Sequence, residues 1–355
     1  MAVRQRPPVP RIDPPKPKGG LVLSVADFGA TPDDDASDWQ AFAAALDACK
    51  ERGAAKLVIP KGRYRFHDPA ALKRQGGHVL VAGMSALTID GQGSELLFHH
   101  IRAGFQFHDS QRIVVKNLTV DWDIRLASAA VMVDEPGVGK VLRVPDDYPI
   151  TDDQPIGKMS AVSEYDLAAR RWVIGGEERY YPEDVKTIRP QVFSSPSFAG
   201  ISTGKTFVVR HHVYSAHAFD FGGRGNADLA FEDITVYGAP GHNFVGYGCE
   251  RGFRLTRCRI ARRDEPGRLI SGASDGAHFG ATRGDILVED CDFSYMGDDS
   301  INIHGAWLRT TEKPAGRRLL LTSRWYGATH IDVGEELKLC HAANLEEYGR
   351  AIVKE

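Results

Sequence analysis

An eight-residue pattern recurs along the chain: apolar, any, apolar, any, polar, apolar, any, apolar. It is spelled Ile113-Val-Val-Lys-Asn-Leu-Thr-Val120, Leu229-Ala-Phe-Glu-Asp-Ile-Thr-Val236, Phe253-Arg-Leu-Thr-Arg-Cys-Arg-Ile260 and Ile286-Leu-Val-Glu-Asp-Cys-Asp-Phe293. A degenerate copy starts at Leu87 (Leu87-Thr-Ile-Asp-Gly91). On either side of the polar fifth position the alternation has period two, so each copy predicts two short strands meeting at a corner. Copies starting at 87 and 113 lie 26 residues apart, those at 229 and 253 lie 24 apart, and those at 253 and 286 lie 33 apart, the last stretched by a loop around 262–272. A period near 24 with three short strands per turn suits a parallel β-helix, in which equivalent residues of successive coils stack about 4.8 Å apart. An amphipathic helix or a sandwich does not account for four aligned copies. The predicted class is therefore all-β: a right-handed parallel β-helix with an N-terminal capping helix and inserted small β-barrel domains. Cys258 and Cys291 share one template position, which predicts an inward ladder rather than a redox pair.

Departures from the pattern set the expected boundaries. The acidic run Asp33 to Asp35 precedes a helical stretch from about Ser37 to Glu51. Acids at its first turn would favour the helix dipole, and Gly53 is placed to end it. Such a helix covers the open end of a solenoid, where core and strand edges are otherwise bare. The copies at 113 and 229 are 116 residues apart, far more than one coil. Alternating runs between them (Ala130-Val-Met-Val133, Val141-Leu-Arg-Val144, Arg171-Trp-Val-Ile174) predict a β-barrel inserted over 124–203. The β-helix is then expected over 21–123 and 204–306. A second β-barrel is expected to begin at 307 and to be cut short at 355, and a proline-rich flexible tail is expected over 1–20. The tail has no apolar segment of the secretory type.

Composition narrows the function. Hydrophobic residues at 42% and charged ones at 26% describe a globular chain rather than a disordered one. A formal net charge of −3 offers no basic excess for a phosphate backbone, so no nucleic-acid partner is expected. No apolar run is long enough for a membrane span. Five cysteines without a C-x-x-C, and no helical HExxH, give no transition-metal set, so neither metal nor cofactor is expected.

Candidate chemistry lies in two passages, Ser274-Asp-Gly-Ala-His-Phe279 and Met296-Gly-Asp-Asp-Ser-Ile-Asn-Ile-His-Gly305. Asp275 and Asp299 are 24 residues apart, one coil, which sets Asp275 beside the Asp298–Asp299 pair and His278 beside Asn302. One coil further back the same column holds His242, followed by Asn243. Three acids on neighbouring rungs repel when all are ionised, so one should hold its proton. A protonated carboxyl can then serve a leaving glycosidic oxygen while an ionised neighbour activates water or attacks directly. An isolated Asp-Gly is ordinarily a turn, and aspartates at β-helix corners also ligate Ca²⁺. Convergence of three acids with His242, Asn243, His278, Asn302 and His304 as sugar-binding groups is what points to catalysis.

These residues carry a family resemblance. Asp27-Phe-Gly-Ala30 and Ile59-Pro-Lys-Gly-Arg-Tyr64 resemble the pectate-lyase-like β-helix superfamily. Asp275-Gly-Ala-His-Phe279 and Gly297-Asp-Asp-Ser-Ile-Asn-Ile-His-Gly305 resemble glycoside hydrolase family 110. Those enzymes are exo-acting, inverting α-galactosidases that remove terminal α-1,3-linked galactose. The resemblance implies Asp275 as general acid with Asp298 and Asp299 as the base pair; polygalacturonase relatives would instead make Asp298 the acid. It further implies a glycan or glycoconjugate with terminal α-galactose as partner, and a periplasmic or secreted setting. The family's chain is longer, with coils beyond the second barrel. A polygalacturonase-like hydrolase is the nearest alternative, but no Arg-Ile-Lys for a uronate follows Asp299. A polysaccharide lyase or epimerase, or a non-catalytic glycan-binding β-helix, are further alternatives.

Overall fold

The computed structural model describes residues 20–73, 75–150, 159–249, 251–305, 307–312, 318–322 and 331–354. The tail expected over 1–20 lies outside them except for Gly20. Two compact units divide the chain, Met1–Ile303 and His304–Glu355.

The first unit is a parallel β-helix. One sheet stacks Val22–Ser24, Lys56–Val58, Thr88–Phe98, Gln111–Trp122, Ala227–Val236, Phe253–Thr256 and Ile286–Glu289 in that order. A second stacks Val79–Ala82, Phe105–His108, Phe219–Asp220, Phe244–Tyr247, Ala277–Gly280 and Ile301–His304. The template copies pair in register, Ile113 with Leu229, Leu229 with Phe253 and Phe253 with Ile286. Their polar fifth residues are the corners: Asn117, Asp233, Arg257 and Asp290 all have φ between 51° and 55°. Asn and Asp tolerate this left-handed conformation because a short polar side chain bonds locally, so the template's polar position is a conformational requirement. Cys258 and Cys291 are free thiols on adjacent rungs, the Cys258 amide donating to Cys291 Sγ at 3.4 Å.

Inside, phenylalanines stack along the axis. Phe105, Phe219 and Phe244 lie in one column with ring centroids 5.0 and 4.9 Å apart and near-parallel planes, and Phe231 packs edge-on against Phe219. The helix Trp39–Arg52 caps the first coils. Phe42 meets Tyr64 and Phe66 at 5.4 and 5.0 Å, and Gly53 at φ 63° closes the helix. The acids upstream do not enter its first turn, contrary to the dipole argument. Asp38, the residue before the helix, instead accepts the amides of Thr31 and Arg65, tying the helix start to the strand Arg63–Phe66.

Between coils, an eight-stranded antiparallel sheet starts at Ala127–Glu135 and ends at Thr206–Arg210, which pair with each other. The sequence placed the return to the β-helix at 204, ahead of this last strand. The missed strand bears on the site below. A separate core of Met132, Leu142, Phe193, Phe198 and Phe207 fills the insert. It meets the β-helix through Tyr165, Val208, Leu269, Ile270 and Ala273, where the Tyr165 hydroxyl donates to the Leu269 carbonyl at 2.9 Å. The second unit, among the described residues, contains two antiparallel strand pairs, Arg309–Glu312 with Leu320–Thr322 and Glu336–Cys340 with Glu347–Ile352. No helix among the described residues is long and apolar enough to cross a membrane.

Candidate active site

The column counted from the sequence is built by backbone hydrogen bonds. The Asn243 amide donates to the Asp275 carbonyl at 3.0 Å, and the Gly276 amide to the Asp299 carbonyl at 2.9 Å. His242, Asp275 and Asp299 therefore occupy one position of three successive coils. Asn243, fully buried, adds a side-chain bond from Nδ2 to the Asp275 carbonyl at 3.1 Å. Gly272 makes room for it, since a Cβ there would fall 2.5 Å from that nitrogen.

Asp275 is 2% exposed and lies between two imidazoles. His278 Nδ1 is 2.6 Å from Oδ2. His242 Nδ1 lies 3.4 Å from Oδ1 and, when unprotonated, accepts the Asp275 amide at 3.2 Å. Burial disfavours the charged carboxylate, but its contacts with the His242 and His278 imidazoles outweigh it and hold this carboxyl at about 2.

Asp298 sits in a different environment. Its Oδ2 accepts the hydroxyls of Tyr180 at 2.8 Å and Tyr214 at 2.7 Å, and its Oδ1 accepts the Asp299 amide at 3.1 Å. Burial pushes the Tyr180 hydroxyl up to about 12, and burial followed by the bond to Asp298 raises Tyr214 as well. Both phenols therefore stay protonated as donors. Asp299 is exposed, with Oδ2 accepting from Asn302 Nδ2 at 2.9 Å. What burial it has, then the charges of Asp298 and Asp275, raises its carboxyl above the ordinary range. Neighbouring rungs thus hold one acid that ionises easily and one that keeps its proton longer.

Around these acids runs a line of rings: Tyr214 is 5.2 Å from His242, His217 5.0 Å, His278 4.9 Å, and Tyr247 lies 4.9 Å from His278. His217 was missed, though one more step of the coil count reaches it, since the Ala218 amide donates to the His242 carbonyl. Burial, then the nearby His242 and His278, press its imidazole down to about 3. Tyr180 and Tyr214 were missed for another reason. They come from the insert and the loop after it, where no coil period applies. His304 begins the second unit, its Nδ1 2.8 Å from the Gly305 carbonyl.

One ligand atom each from His242, Asp275 and His278 lie within 4.8 Å of one another, a spacing that invites a metal reading. Bonds of about 2.0–2.2 Å in a tetrahedral site would set ligand atoms roughly 3.3 Å apart. The 2.6 Å between His278 Nδ1 and Asp275 Oδ2 is instead the length of a charge-assisted hydrogen bond.

No family model matches the chain. It is similar over most of its length to curated galactosidases. Alpha-1,3-galactosidase B of Bacteroides thetaiotaomicron is 26% identical over 323 residues, covering 82% of this chain and 52% of the relative. Alpha-1,3-galactosidase A of Bacteroides fragilis is 24% identical over 372 aligned residues, covering 93% and 60%. Alpha-1,3-galactosidase A of Shewanella woodyi is 27% identical over 322 residues, covering 82% and 52%. The chain thus spans between half and three-fifths of the length of these relatives. Among solved structures, a family 28 exopolygalacturonase of Yersinia enterocolitica aligns with 80% of this chain and 45% of its own at 15% identity and TM-score 0.39. The A-module of a mannuronan C-5 epimerase from Azotobacter vinelandii aligns with 79% and 58% at 14% identity and TM-score 0.38.

Proposed function

We propose that this chain carries the catalytic site of a glycosidase that removes terminal α-1,3-linked galactose, of the kind grouped in glycoside hydrolase family 110, by an inverting reaction. The observation that carries the reading is the convergence of three carboxyls, Asp275 and Asp299 at one position of adjacent rungs with Asp298 beside them. The opposed proton affinities of Asp275, held at about 2, and Asp299, raised, support it. Similarity to proteins named alpha-1,3-galactosidase supplies the sugar.

The roles follow from those affinities and reverse the ones implied by the resemblance. A group at about 2 is ionised at neutral pH and cannot donate a proton, so Asp275 acts as base, oriented by His242 and His278. Asp299 holds the proton for the leaving oxygen, and Asp298, which accepts the hydroxyls of Tyr180 and Tyr214, faces the developing oxocarbenium ion. Glycan partners are exposed on the cell exterior or in the periplasm, which is where this activity would serve.

Proton NMR of a digest of α-1,3-galactobiose tests the reading. The first anomer released is β-galactose under inversion; α-galactose first would place the reaction on the retaining course, and absence of cleavage would reject the galactosidase reading. Dialysis against EDTA is expected to leave turnover unchanged. A loss restored by a divalent ion would move His242, Asp275 and His278 from proton chemistry to metal ligation.

A further inference from the structure

We propose that Arg210 is a positioning residue that fixes the two acid-bearing loops relative to one another, with the inserted antiparallel sheet as its anchor. This rests on reading Asp275, Asp298 and Asp299 as the catalytic carboxyls. Arg210 ends the insert's last strand and is fully buried. Its Nη1 donates to the carbonyl of Ala273 at 2.9 Å and to that of Gly297 at 2.5 Å. These carbonyls lie two residues before Asp275 and one before Asp298.

The bridge falls where the β-helix ladder has a gap. The Gly297 amide reaches the Gly272 carbonyl at 3.0 Å, and the next rung-to-rung bond joins the Gly276 amide to the Asp299 carbonyl. Between those bonds, among the described residues, the two loops share no backbone hydrogen bond. One guanidinium nitrogen with two hydrogens bridges them instead. The fit is close on the loop side too: a Cβ on Gly297 would stand 2.6 Å from Arg210 Nη1 and 2.7 Å from the Ala273 carbonyl oxygen. The arginine and the facing Ala273 carbonyl together leave room only for a glycine before Asp298.

The other side of the guanidinium belongs to the insert. Nη2 donates to Ser163 Oγ at 3.1 Å and to Glu178 Oε1 at 2.7 Å, on two neighbouring strands of that sheet. Its carbon lies 5.8 Å from the Trp172 ring centroid and 4.9 Å from that of Tyr180, and Tyr180 itself donates to Asp298. The insert thus reaches this loop twice, through the Gly297 carbonyl by Arg210 and through the Asp298 carboxyl by Tyr180. Lysine keeps the charge but has no planar fork to serve both sides at once.

The test uses the full chain with Arg210→Lys and Glu178→Gln, the latter removing the anion from a side chain that is 41% exposed. Initial rates on α-1,3-galactobiose are combined with hydrogen exchange followed by mass spectrometry. Arg210→Lys should lower kcat about 100-fold, the scale of a 1 Å misplacement, with KM little changed. Exchange should quicken in peptides covering 271–276 and 295–300 and not in the core of the insert. Glu178→Gln should show the same pattern with a smaller fall, and it decides the matter if Arg210→Lys does not fold. An unchanged kcat, or exchange rising throughout the insert, would overturn the positioning role. If the wild type cleaves no galactoside, the functional reading fails, and the exchange pattern alone then upholds or overturns Arg210.

Discussion

Asp299→Asn should give a folded protein that cleaves α-1,3-galactobiose roughly 10²–10⁴-fold more slowly than the wild type, the usual contribution of general acid–base catalysis. Folding is spared because residue 299 is exposed and its bond from Asn302 can be accepted equally by an asparagine carbonyl. The loss should shrink on p-nitrophenyl α-galactoside, whose leaving group departs without a proton. Asp275→Asn removes the base and should slow both substrates alike. The pH dependence has a definite sign. Asp299 works while protonated, so kcat/KM falls as pH rises through a value above the ordinary carboxylate 3.8. Asp275 works while ionised, so its limb appears only as pH falls toward about 2. If Asp275→Asn spared the aryl substrate and Asp299→Asn did not, the two roles would be exchanged.

Phe219→Ala should destabilise the β-helix by about 3–5 kcal/mol, the cost of removing a large buried ring and leaving a cavity. Phe219 is fully buried, stacked between Phe105 and Phe244 with Phe231 against its edge. Neighbouring coils are fixed by their strand pairing, so the gap cannot close by sliding a rung inward. A denaturant titration followed by fluorescence or circular dichroism measures the shift, and turnover per folded molecule should hold. A shift below about 1 kcal/mol would mean that the column collapses onto the space.

What the sequence revealed is what repeats. The corner at Asn117, Asp233, Arg257 and Asp290 recurs because every coil must turn with φ near +50°, and the apolar template positions recur because every coil must fill the same interior. The column His242, Asp275, Asp299 was countable for the same reason, and His217 needed only one more step. Tyr180, Tyr214 and Arg210 follow no such rule. Their positions depend on how the insert folds back onto the loops before the acids, through pairings such as Arg210 with Ala127 that local spacing does not encode. The proton affinities were half legible. Mutual repulsion of three acids forecast a raised member without saying which, and Asp299 is raised. The imidazoles bracketing Asp275 lower it, against the acid role that the resemblance implied, and they act through side-chain contacts rather than register.

Catalysis here requires a single sugar to meet carboxyls from successive turns, and a crystal structure of Asp299→Asn soaked with α-1,3-galactobiose tests that most directly. The predicted density has the glycosidic oxygen within about 2.6–3.2 Å of the residue 299 side chain. A water held by Asp275 should lie on the opposite face of the terminal galactose. Disaccharide bound away from His242, Asp275 and Asp298, or the side chain of 299 turned from the bond to be broken, would contradict it.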